Sequence, residues 1–338
     1  MIAKLQTNRV RRTYLGGGRI DTFTGVINCD PPMPMPEDWM ASTTTAFNGT
    51  LEIEGEGLGR LEDGRLVKDV VGTLPILVKL LDSDERLVIQ AHPTVPCAKR
   101  LFNSPVGKTE CWYFLDGTAP DACVYLGFKP GITREAWEEA VCAGMGDNRQ
   151  PTANNRTVEP SNCRSGCRSS NVECPSSSPL LSFLHRIPVK AGDFVFVDGG
   201  MPHAIGGGCF MIELQEPSDL MVVAERVTPS GRRIPDAKMH GGVGWEKMFE
   251  VYEYEGRTFE ETCARYVRRA GGSRSCATEK GAGGSQFTAT AADAINCVPP
   301  GSLELGGAQF TATAADAINC VPPVFSVKSV DKWGNVRR

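Results

Sequence analysis

Long hydrophobic runs are absent from this 338-residue chain. No apolar stretch approaches the roughly 20 residues that a helix needs to cross a bilayer, so no membrane span is expected. The N-terminal sequence MIAKLQTNRVRRTY has basic residues but no apolar core. This argues against a secretory signal and favours a cytoplasmic location.

A strong charge of either sign is also missing. The formal net charge is -4 at pH 7, which is too small to indicate nucleic acid or a membrane surface as a partner. An anionic small-molecule substrate would therefore be held by local lysines and arginines. No GxGxxG motif follows a predicted strand, so no dinucleotide cofactor is expected.

The cysteines lack the pattern of a disulfide framework. There are 13 of them in a long chain without a secretory signal, and many stand alone in apolar runs. We therefore expect reduced thiols, as in a protein of a reducing compartment. Cys163, Cys167 and Cys174 lack the fourth ligand and the paired CxxC spacing of a zinc knuckle, so metal binding there is disfavoured.

Most of the chain reads as short strands and turns, which predicts a mainly β fold with a few helices. The spacing of Ala136, Trp137, Ala140 and Val141 predicts one helix from about Thr133 to Ala143. The clearest strand candidates are TLEIEGEG, RLVIQAHP, ECWYFLDG and ACVYLGFKP.

Two segments depart from this pattern. Residues 144–178 are polar and rich in Ser and Asn, so they are predicted to be a mobile insertion that cannot bury enough surface to become ordered. Near the C-terminus, residues 283–300 recur almost unchanged as residues 306–323. Two copies do not make a solenoid, and a local duplication or a gene-model error explains them better. We divide the chain into a catalytic domain at 1–255 and a C-terminal region at 256–338 that holds a partial β domain.

Four side chains that can bind a metal lie at the ends of predicted strands. Gln90 and His92 are two residues apart in one strand and therefore share a face. Glu110 opens the next aromatic strand, and His203 follows the strand DFVFVDGG after a short glycine turn. Two imidazoles, one carboxylate and one amide oxygen suit Zn²⁺, with manganese, iron or cobalt as alternatives. A remaining open position would make the site catalytic rather than structural.

A further carboxylate is predicted to face the interior. Alternation along GCFMIELQE puts Glu213 on the same face as Cys209 and Met211, where a carboxylate is costly unless it is paired or functional. Lys108 lies two residues before Glu110 and would share its face. Two interpretations of this lysine remain open. It could position a sugar oxygen or a phosphate, or it could be a solvated turn residue.

These motifs resemble those of the type I phosphomannose isomerases, also called mannose-6-phosphate isomerases. The combination of QAHP, GKTECW and GGMPHAIG is specific, and similar segments extend over about residues 10–255. The similar segments are PEDWMAS (36–42), VKLLDSDERLVIQAHP (78–93), GKTECWYFLDG (107–117), GFKPGITRE (127–135), HRIPVKAGDFVFVDGGMPHAIGGGC (185–209) and IELQEPSD (212–219).

The resemblance implies a cupin-type jelly-roll barrel that interconverts mannose 6-phosphate and fructose 6-phosphate through a cis-enediol. It implies one Zn²⁺ per chain and a small sugar phosphate as the binding partner. The candidate catalytic residues are Glu213 as the proton-transferring base, Lys108 beside the substrate, and Arg226, with Ser42 as a weaker candidate. By the same resemblance, the metal ligands are Gln90, His92, Glu110 and His203.

One position departs from the family pattern. Many of these isomerases have an arginine ten residues after the glutamate that matches Glu213, and this chain has Val223 there. Arg226 faces the other way by alternation, although a bend after Pro217 could turn it toward the site. The departure keeps two alternatives open, a non-catalytic or impaired cupin paralogue that binds metal and a sugar phosphate, and a cupin oxygenase that uses iron.

Overall fold

The computed structural model describes residues 3–26, 35–48, 53–145 and 178–270, and two short strands at 308–309 and 328–329. These residues form a mainly β fold with short helices, as the sequence predicts. The strands are β1 (Arg9–Val10), β2 (Glu37–Met40), β3 (Leu77–Asp82), β4 (Gln90–Ala91), β5 (Glu110–Phe114), β6 (Cys123–Phe128), β7 (Leu184–Pro188), β8 (Phe194–Val197), β9 (His203–Ile205), β10 (Phe210–Gln215), β11 (Val222–Val223), β12 (Val267–Arg268), β13 (Ala308–Gln309) and β14 (Lys328–Ser329). The helices are α1 (Arg19–Thr24), α2 (Val67–Val71), α3 (Val95–Leu101), α4 (Arg134–Met145), α5 (Asp236–Met239), α6 (Trp245–Met248) and α7 (Phe259–Tyr266), and 3₁₀ turns span Pro179–Phe183 and Phe249–Val251.

Two antiparallel sheets form the body of the fold. The larger sheet has the strand order β1-β2-β3-β10-β5-β8-β12, and the smaller has the order β11-β4-β9-β6-β7. Strand β10 lies between β3 and β5, which precede it by about a hundred residues. Segments that are distant in sequence therefore become neighbours, and β13 and β14 pair only with each other among the described strands.

The main hydrophobic core lies between the two sheets. It takes Trp112 and Phe114 from β5 and Met211 from β10, and it takes Leu126 and Ile205 from the smaller sheet. Every second residue of β5 is buried, as expected for a strand with one face turned toward a core. Each large apolar side chain that is fully buried here contributes roughly 1.5–3 kcal/mol of transfer free energy.

Helix α4 covers the outer face of the smaller sheet. Its apolar residues Trp137 and Val141 are four positions apart and pack in one cluster with Phe128 of β6. The Thr133 hydroxyl accepts a hydrogen bond from the backbone N–H of Ala136 at 3.2 Å, which satisfies a free amide at the helix start. The predicted helix is confirmed, and it runs slightly further than Ala143.

Helix α7 and strand β12 extend the larger sheet beyond β8. Thr258 and Glu261 form a reciprocal capping box at the start of α7. Tyr266 and Val267 then pack in the main core. The division at residue 255 remains a prediction, since most of the C-terminal region, including 283–300 and all but two residues of 306–323, lies outside the described residues.

The strand predictions succeeded in part. ECWYFLDG and ACVYLGFKP contain β5 and β6, whereas RLVIQAHP supplies only the two-residue β4. The prediction of a strand in TLEIEGEG is wrong for residues 53–57, which form a turn in which Gly55 and Gly57 have φ of 76° and 89°. Almost all of the predicted insertion at 144–178, with its three cysteines, lies outside the described residues.

Candidate metal centre and adjoining cavity

Three metal-binding side chains meet between the two sheets. Ligand atoms of His92, Glu110 and His203 all lie within 4.8 Å of one another, and all three residues are buried. Glu110 begins β5 of the larger sheet, whereas His203 begins β9 of the smaller sheet. The two sheets therefore supply the ligands from opposite sides, which the sequence could not show.

The spacing of these atoms suits a small ion. The Nε2 atoms of His92 and His203 each lie 3.3 Å from one carboxylate oxygen of Glu110. Two ligand atoms held about 2.1 Å from a tetrahedral Zn²⁺ lie about 3.4 Å apart. The cluster thus has the dimensions of a mononuclear metal site.

Both imidazoles are oriented by the backbone. The Nδ1 atom of His92 lies 2.9 Å from the carbonyl oxygen of Leu220, and that of His203 lies 2.9 Å from the carbonyl oxygen of Met201. Each Nδ1–H donates to its carbonyl, so each Nε2 carries the lone pair that can accept a hydrogen bond or bind a metal ion. Burial lowers the pKa of both histidines, that of His92 to about 3 with a further contribution from Lys108. The neutral, metal-binding form therefore predominates at pH 7.

Glu110 provides the strongest sign of a cation at this site. Both of its carboxylate oxygens are buried, and neither accepts a well-formed hydrogen bond among the described residues, although both histidine Nε2 atoms lie 3.3 Å away and Lys108 Nζ lies 3.5 Å away. Burial alone would raise the pKa of this group, but the positive charge of Lys108 outweighs burial and holds the pKa well below its usual range. A buried, ionised carboxylate without hydrogen bonds is costly unless a cation binds it, so the residues present fit a divalent metal ion.

Gln90 and Lys108 border the histidines. Gln90 lies opposite His203 in the β4–β9 pair, and its amide nitrogen is 3.3 Å from His203 Nε2. A half-turn of the amide would present its oxygen instead, so Gln90 can complete the ligand set. Lys108 Nζ lies 3.0 Å from His92 Nε2 and 3.5 Å from Glu110 Oε2. Lys108 is therefore a buried residue of the site, not a solvated turn lysine.

A cavity adjoins this cluster, and Glu213 lies in its wall. Gln90, Lys108 and Glu213 all line the cavity. Alternation along β10 turns Glu213 inward, as predicted, and its Oε1 accepts a hydrogen bond from Trp112 Nε1 at 3.2 Å. Lys79, the cross-strand neighbour of Glu213, holds the other oxygen at 2.9 Å. Burial raises the pKa of Glu213, and Lys79 opposes this rise.

Sequence reasoning missed a buried charge network behind Glu213. Lys79 lies 3.8 Å from Glu37, and Glu37 lies 3.2 Å from Arg12. Arg12 forms two hydrogen bonds with Asp219, at 2.8 and 2.9 Å. The alternation of Lys79 with Leu77 and Leu81 in β3 was the available signal, because it places a lysine among inward-facing apolar residues.

The remaining candidates lie elsewhere. Arg226 is not brought to the cavity, since its guanidinium pairs with Asp236 at 2.7 Å and lies over the ring of Trp245. Val223 does line the cavity. Ser42 is buried, and its hydroxyl is used in a local turn with the backbone of Thr44, outside the cavity lining.

The other two histidines have packing roles, and the described cysteines are reduced, as expected. His185 is buried against the carbonyl oxygen of Arg257, and His240 packs on Trp245. The six described cysteines, at positions 97, 111, 123, 142, 209 and 263, are free thiols. Across the described segments, no helix combines the length and the apolar character required to cross a membrane.

The fold and the cluster together define a class, a cupin-type fold with a buried group of histidine and carboxylate side chains that could hold a metal ion. Within this class the chain is similar to the mannose-6-phosphate isomerases. It is 31% identical to the mannose-6-phosphate isomerase of Bacillus subtilis over 145 residues, which are 43% of this chain and 35% of that protein. It is 30% identical to the enzyme of Streptococcus mutans over 145 residues, which are 43% of this chain and 34% of that protein. The matched part thus spans about a third of the curated relatives.

Solved structures support the same fold. The mannose 6-phosphate isomerase of Bacillus subtilis superposes with a TM-score of 0.52 at 18% identity, over 76% of this chain and 69% of that chain. A variant of phosphomannose isomerase from Salmonella typhimurium gives a TM-score of 0.50 at 14% identity, over 77% of this chain and 76% of that chain. No protein-family model matches the chain.

Proposed function

We propose that this protein is a metal-dependent aldose–ketose isomerase that interconverts mannose 6-phosphate and fructose 6-phosphate. The observation that carries the proposal is the buried cluster of His92, Glu110 and His203, with two unsatisfied carboxylate oxygens, beside a cavity that Glu213 lines. The similarity to proteins named mannose-6-phosphate isomerase supports the choice of substrate.

We propose one Zn²⁺ per chain, bound by Gln90, His92, Glu110 and His203. Nitrogen and oxygen donors at tetrahedral spacing support zinc over the larger divalent ions, which prefer more oxygen ligands. When bound, the ion supplies Lewis-acid stabilisation of the negative charge that develops on the sugar oxygens. All four ligands fall within the proposed catalytic domain at 1–255.

Glu213 is the proposed base that moves the proton between C1 and C2 of the sugar. Its pKa is raised by burial, which brings the proton affinity of the carboxylate closer to that needed near neutral pH. The hydrogen bond from Trp112 and the ion pair with Lys79 hold both oxygens, so the carboxylate keeps a fixed direction. We propose that Lys108 donates a hydrogen bond to a sugar oxygen. Arg226 has no part in this proposal, because it pairs with Asp236.

We also propose that the protein works in the cytoplasm on a soluble metabolite. Sugar phosphates are charged and do not cross bilayers freely, so an enzyme that uses them is expected in the compartment that makes them. Fractionation of the native cells followed by immunodetection would check this location.

The activity can be tested on purified full-length protein. Conversion of mannose 6-phosphate to fructose 6-phosphate is followed in a coupled assay before chelation, after chelation, and after addition of Zn²⁺. We expect turnover to disappear with the metal and to return with it. A preparation that holds one metal ion per chain and converts no mannose 6-phosphate would contradict the proposal.

A further inference from the structure

The cavity beside the metal centre is lined by four cationic side chains. Three of them have carboxylate partners at ion-pairing distance. Arg12 pairs with Asp219 and Glu37, Lys79 pairs with Glu213, and Lys108 lies beside Glu110. The fourth cation is Lys238.

Lys238 has a different environment. It belongs to α5 and is only 3% exposed, and its Nζ donates to the carbonyl oxygen of Phe47 at 3.0 Å. No carboxylate of the described residues lies within ion-pairing distance of this ammonium group. An ammonium group has three donors, and one neutral carbonyl satisfies only one of them. A buried cation in this condition is costly unless an anion binds it.

Lys238 also supplies a positive charge to the cavity where the neighbouring strand β11 has none. Helix α5 packs against β11, and Met239 of the helix shares a cluster with Val223 of the strand. Both Val223 and Lys238 line the cavity. The strand therefore presents an apolar side chain at the position where the resembling isomerases often have arginine, and the adjoining helix supplies a cation to the same cavity.

We propose that Lys238 binds the phosphoryl group of the sugar phosphate, an assignment that rests on the proposed isomerase function. A phosphate monoester carries a charge of about -1.5 to -2 at pH 7 and three acceptor oxygens, which match an ammonium group with free donors. Gln90, Lys108 and Glu213 line the same cavity, so an anion bound at Lys238 would share the cavity with one proposed metal ligand and with the proposed base.

The lysine keeps its charge under ordinary conditions. Burial, with a smaller contribution from Arg12, lowers the pKa of Lys238 from 10.5 to about 8. The ammonium form therefore still predominates at pH 7. The carboxylates of Asp219 and Glu37 oppose this decrease without outweighing burial, and a bound phosphate would oppose it further.

Binding of inorganic phosphate tests this assignment directly. Calorimetric titration is performed on metal-loaded and on chelated protein, for the wild type, Lys238→Gln, Lys238→Arg and the matched control Lys247→Met, whose lysine is exposed on α6. We expect Lys238→Gln to weaken phosphate binding about 10- to 100-fold, as for the loss of a hydrogen bond to a charged group. Lys238→Arg should retain most of the affinity, and Lys247→Met should bind like the wild type.

The steady-state constants give a second comparison. Lys238→Gln should raise KM for mannose 6-phosphate far more than it lowers kcat, and should leave the metal content unchanged. Phosphate binding that is undetectable in the wild type, or equal in the wild type and Lys238→Gln, would overturn the assignment. If Lys238→Gln does not fold, wild-type protein decides the question. Phosphate should shift the NMR signal of the Lys238 side chain but not that of Lys247, and an unshifted Lys238 signal would overturn the assignment.

The two proposals can fail separately. Wild-type protein that binds phosphate through Lys238 but isomerises no mannose 6-phosphate contradicts the proposed function and supports the anion site. Wild-type protein that isomerises mannose 6-phosphate, with Lys238→Gln unchanged in KM and in phosphate affinity, contradicts the anion site alone.

Discussion

Glu110 and the two histidines beside it form a site in which each side chain is prepared for a metal ion by its own neighbours. Backbone carbonyls fix the Nδ1–H of both rings, and burial keeps the rings neutral. The carboxylate remains ionised although it accepts no well-formed hydrogen bond within the described segments. Lys108, 3.5 Å away, offsets part of the charge of Glu110, and a bound metal ion would offset the rest.

Replacement of one ligand tests this conclusion. His203→Ala should reduce the metal content from about one ion per chain to near zero, because loss of a ligand weakens binding by more than the ~100-fold that loss of a supporting hydrogen bond can cost. The measurement is metal analysis by mass spectrometry after gel filtration. His240→Ala is the control, since that ring packs on Trp245 away from the cluster. Equal metal content in the two variants would contradict the ligand assignment.

Lys79 contributes to the stability of the fold, and this contribution can be measured without measuring activity. Its ammonium group lies 2.9 Å from Glu213 and 3.8 Å from Glu37, with all three side chains buried. Lys79→Met should lower the free energy of unfolding by about 3–5 kcal/mol, because buried carboxylates would lose their counter-ion. Urea unfolding of the metal-free protein measures this change. Lys4→Met, which removes an exposed pair with Glu62, should have an effect within about 0.5 kcal/mol. Equal effects of the two substitutions would show that Lys79 is dispensable for stability.

At the scale of elements, alternation within a strand was predictable and pairing between strands was not. The inward direction of Glu110 and Glu213 follows from the period of two in β5 and β10. The meeting of His203 with Glu110 depends on two different sheets, and no local pattern encodes it. The ion pairs of Lys79 and Arg12 were missed for the same reason, since their partners are distant in sequence. Arg226 pairs with Asp236 of a later helix, a partner that alternation along the strand cannot reveal.

The turn between β8 and β9 shows how closely the two ligand segments must approach. The N–H of Gly200 donates to the carbonyl oxygen of His92 at 2.6 Å. A Cβ at Gly199 would lie 2.9 Å from both N and Cα of Thr94, two residues after His92. The glycine therefore allows the His203 turn to contact the chain that follows His92, as the short glycine turn in the sequence suggested.

Gly199→Ala should push these two segments apart. Metal binding should then weaken by on the order of 10-fold or more, as it does when a hydrogen bond that orients a metal ligand is lost. The dissociation constant of Zn²⁺, measured by competition with a fluorescent chelator, gives the readout. Gly144→Ala in α4 serves as the control, because a Cβ there meets no atom within 4 Å. Metal affinity unchanged by Gly199→Ala would show that the turn can shift without moving the ligands.

For the molecule as a whole, the buried charges connect parts of the chain that are far apart. Arg12, near the N-terminus, pairs with Asp219 after β10, and Asp219 also accepts the backbone N–H of Phe47 at 2.8 Å. Burial alone would raise the pKa of Asp219, but Arg12 outweighs burial and holds the pKa far below its usual 3.8. The ionised form of Asp219 is therefore part of the folded state, and the stability of the fold is linked to pH.

The direction of this linkage can be stated and measured. Because the pKa of Asp219 is lower in the folded than in the unfolded chain, its stabilising contribution is complete above the ordinary value of 3.8 and is lost as pH falls below it. Asp219→Asn should lower the free energy of unfolding by about 3–5 kcal/mol at pH 7, and the difference from wild type should shrink between about pH 5 and pH 2. Urea unfolding with chelator present removes any contribution from metal release.

Asp63→Asn, which removes an exposed partner of Arg65, is the control and should follow the wild-type curve at every pH. A difference between wild type and Asp219→Asn that stays constant down to pH 2 would mean that the pKa of Asp219 is the same in the folded and unfolded chains, contrary to its pairing with Arg12.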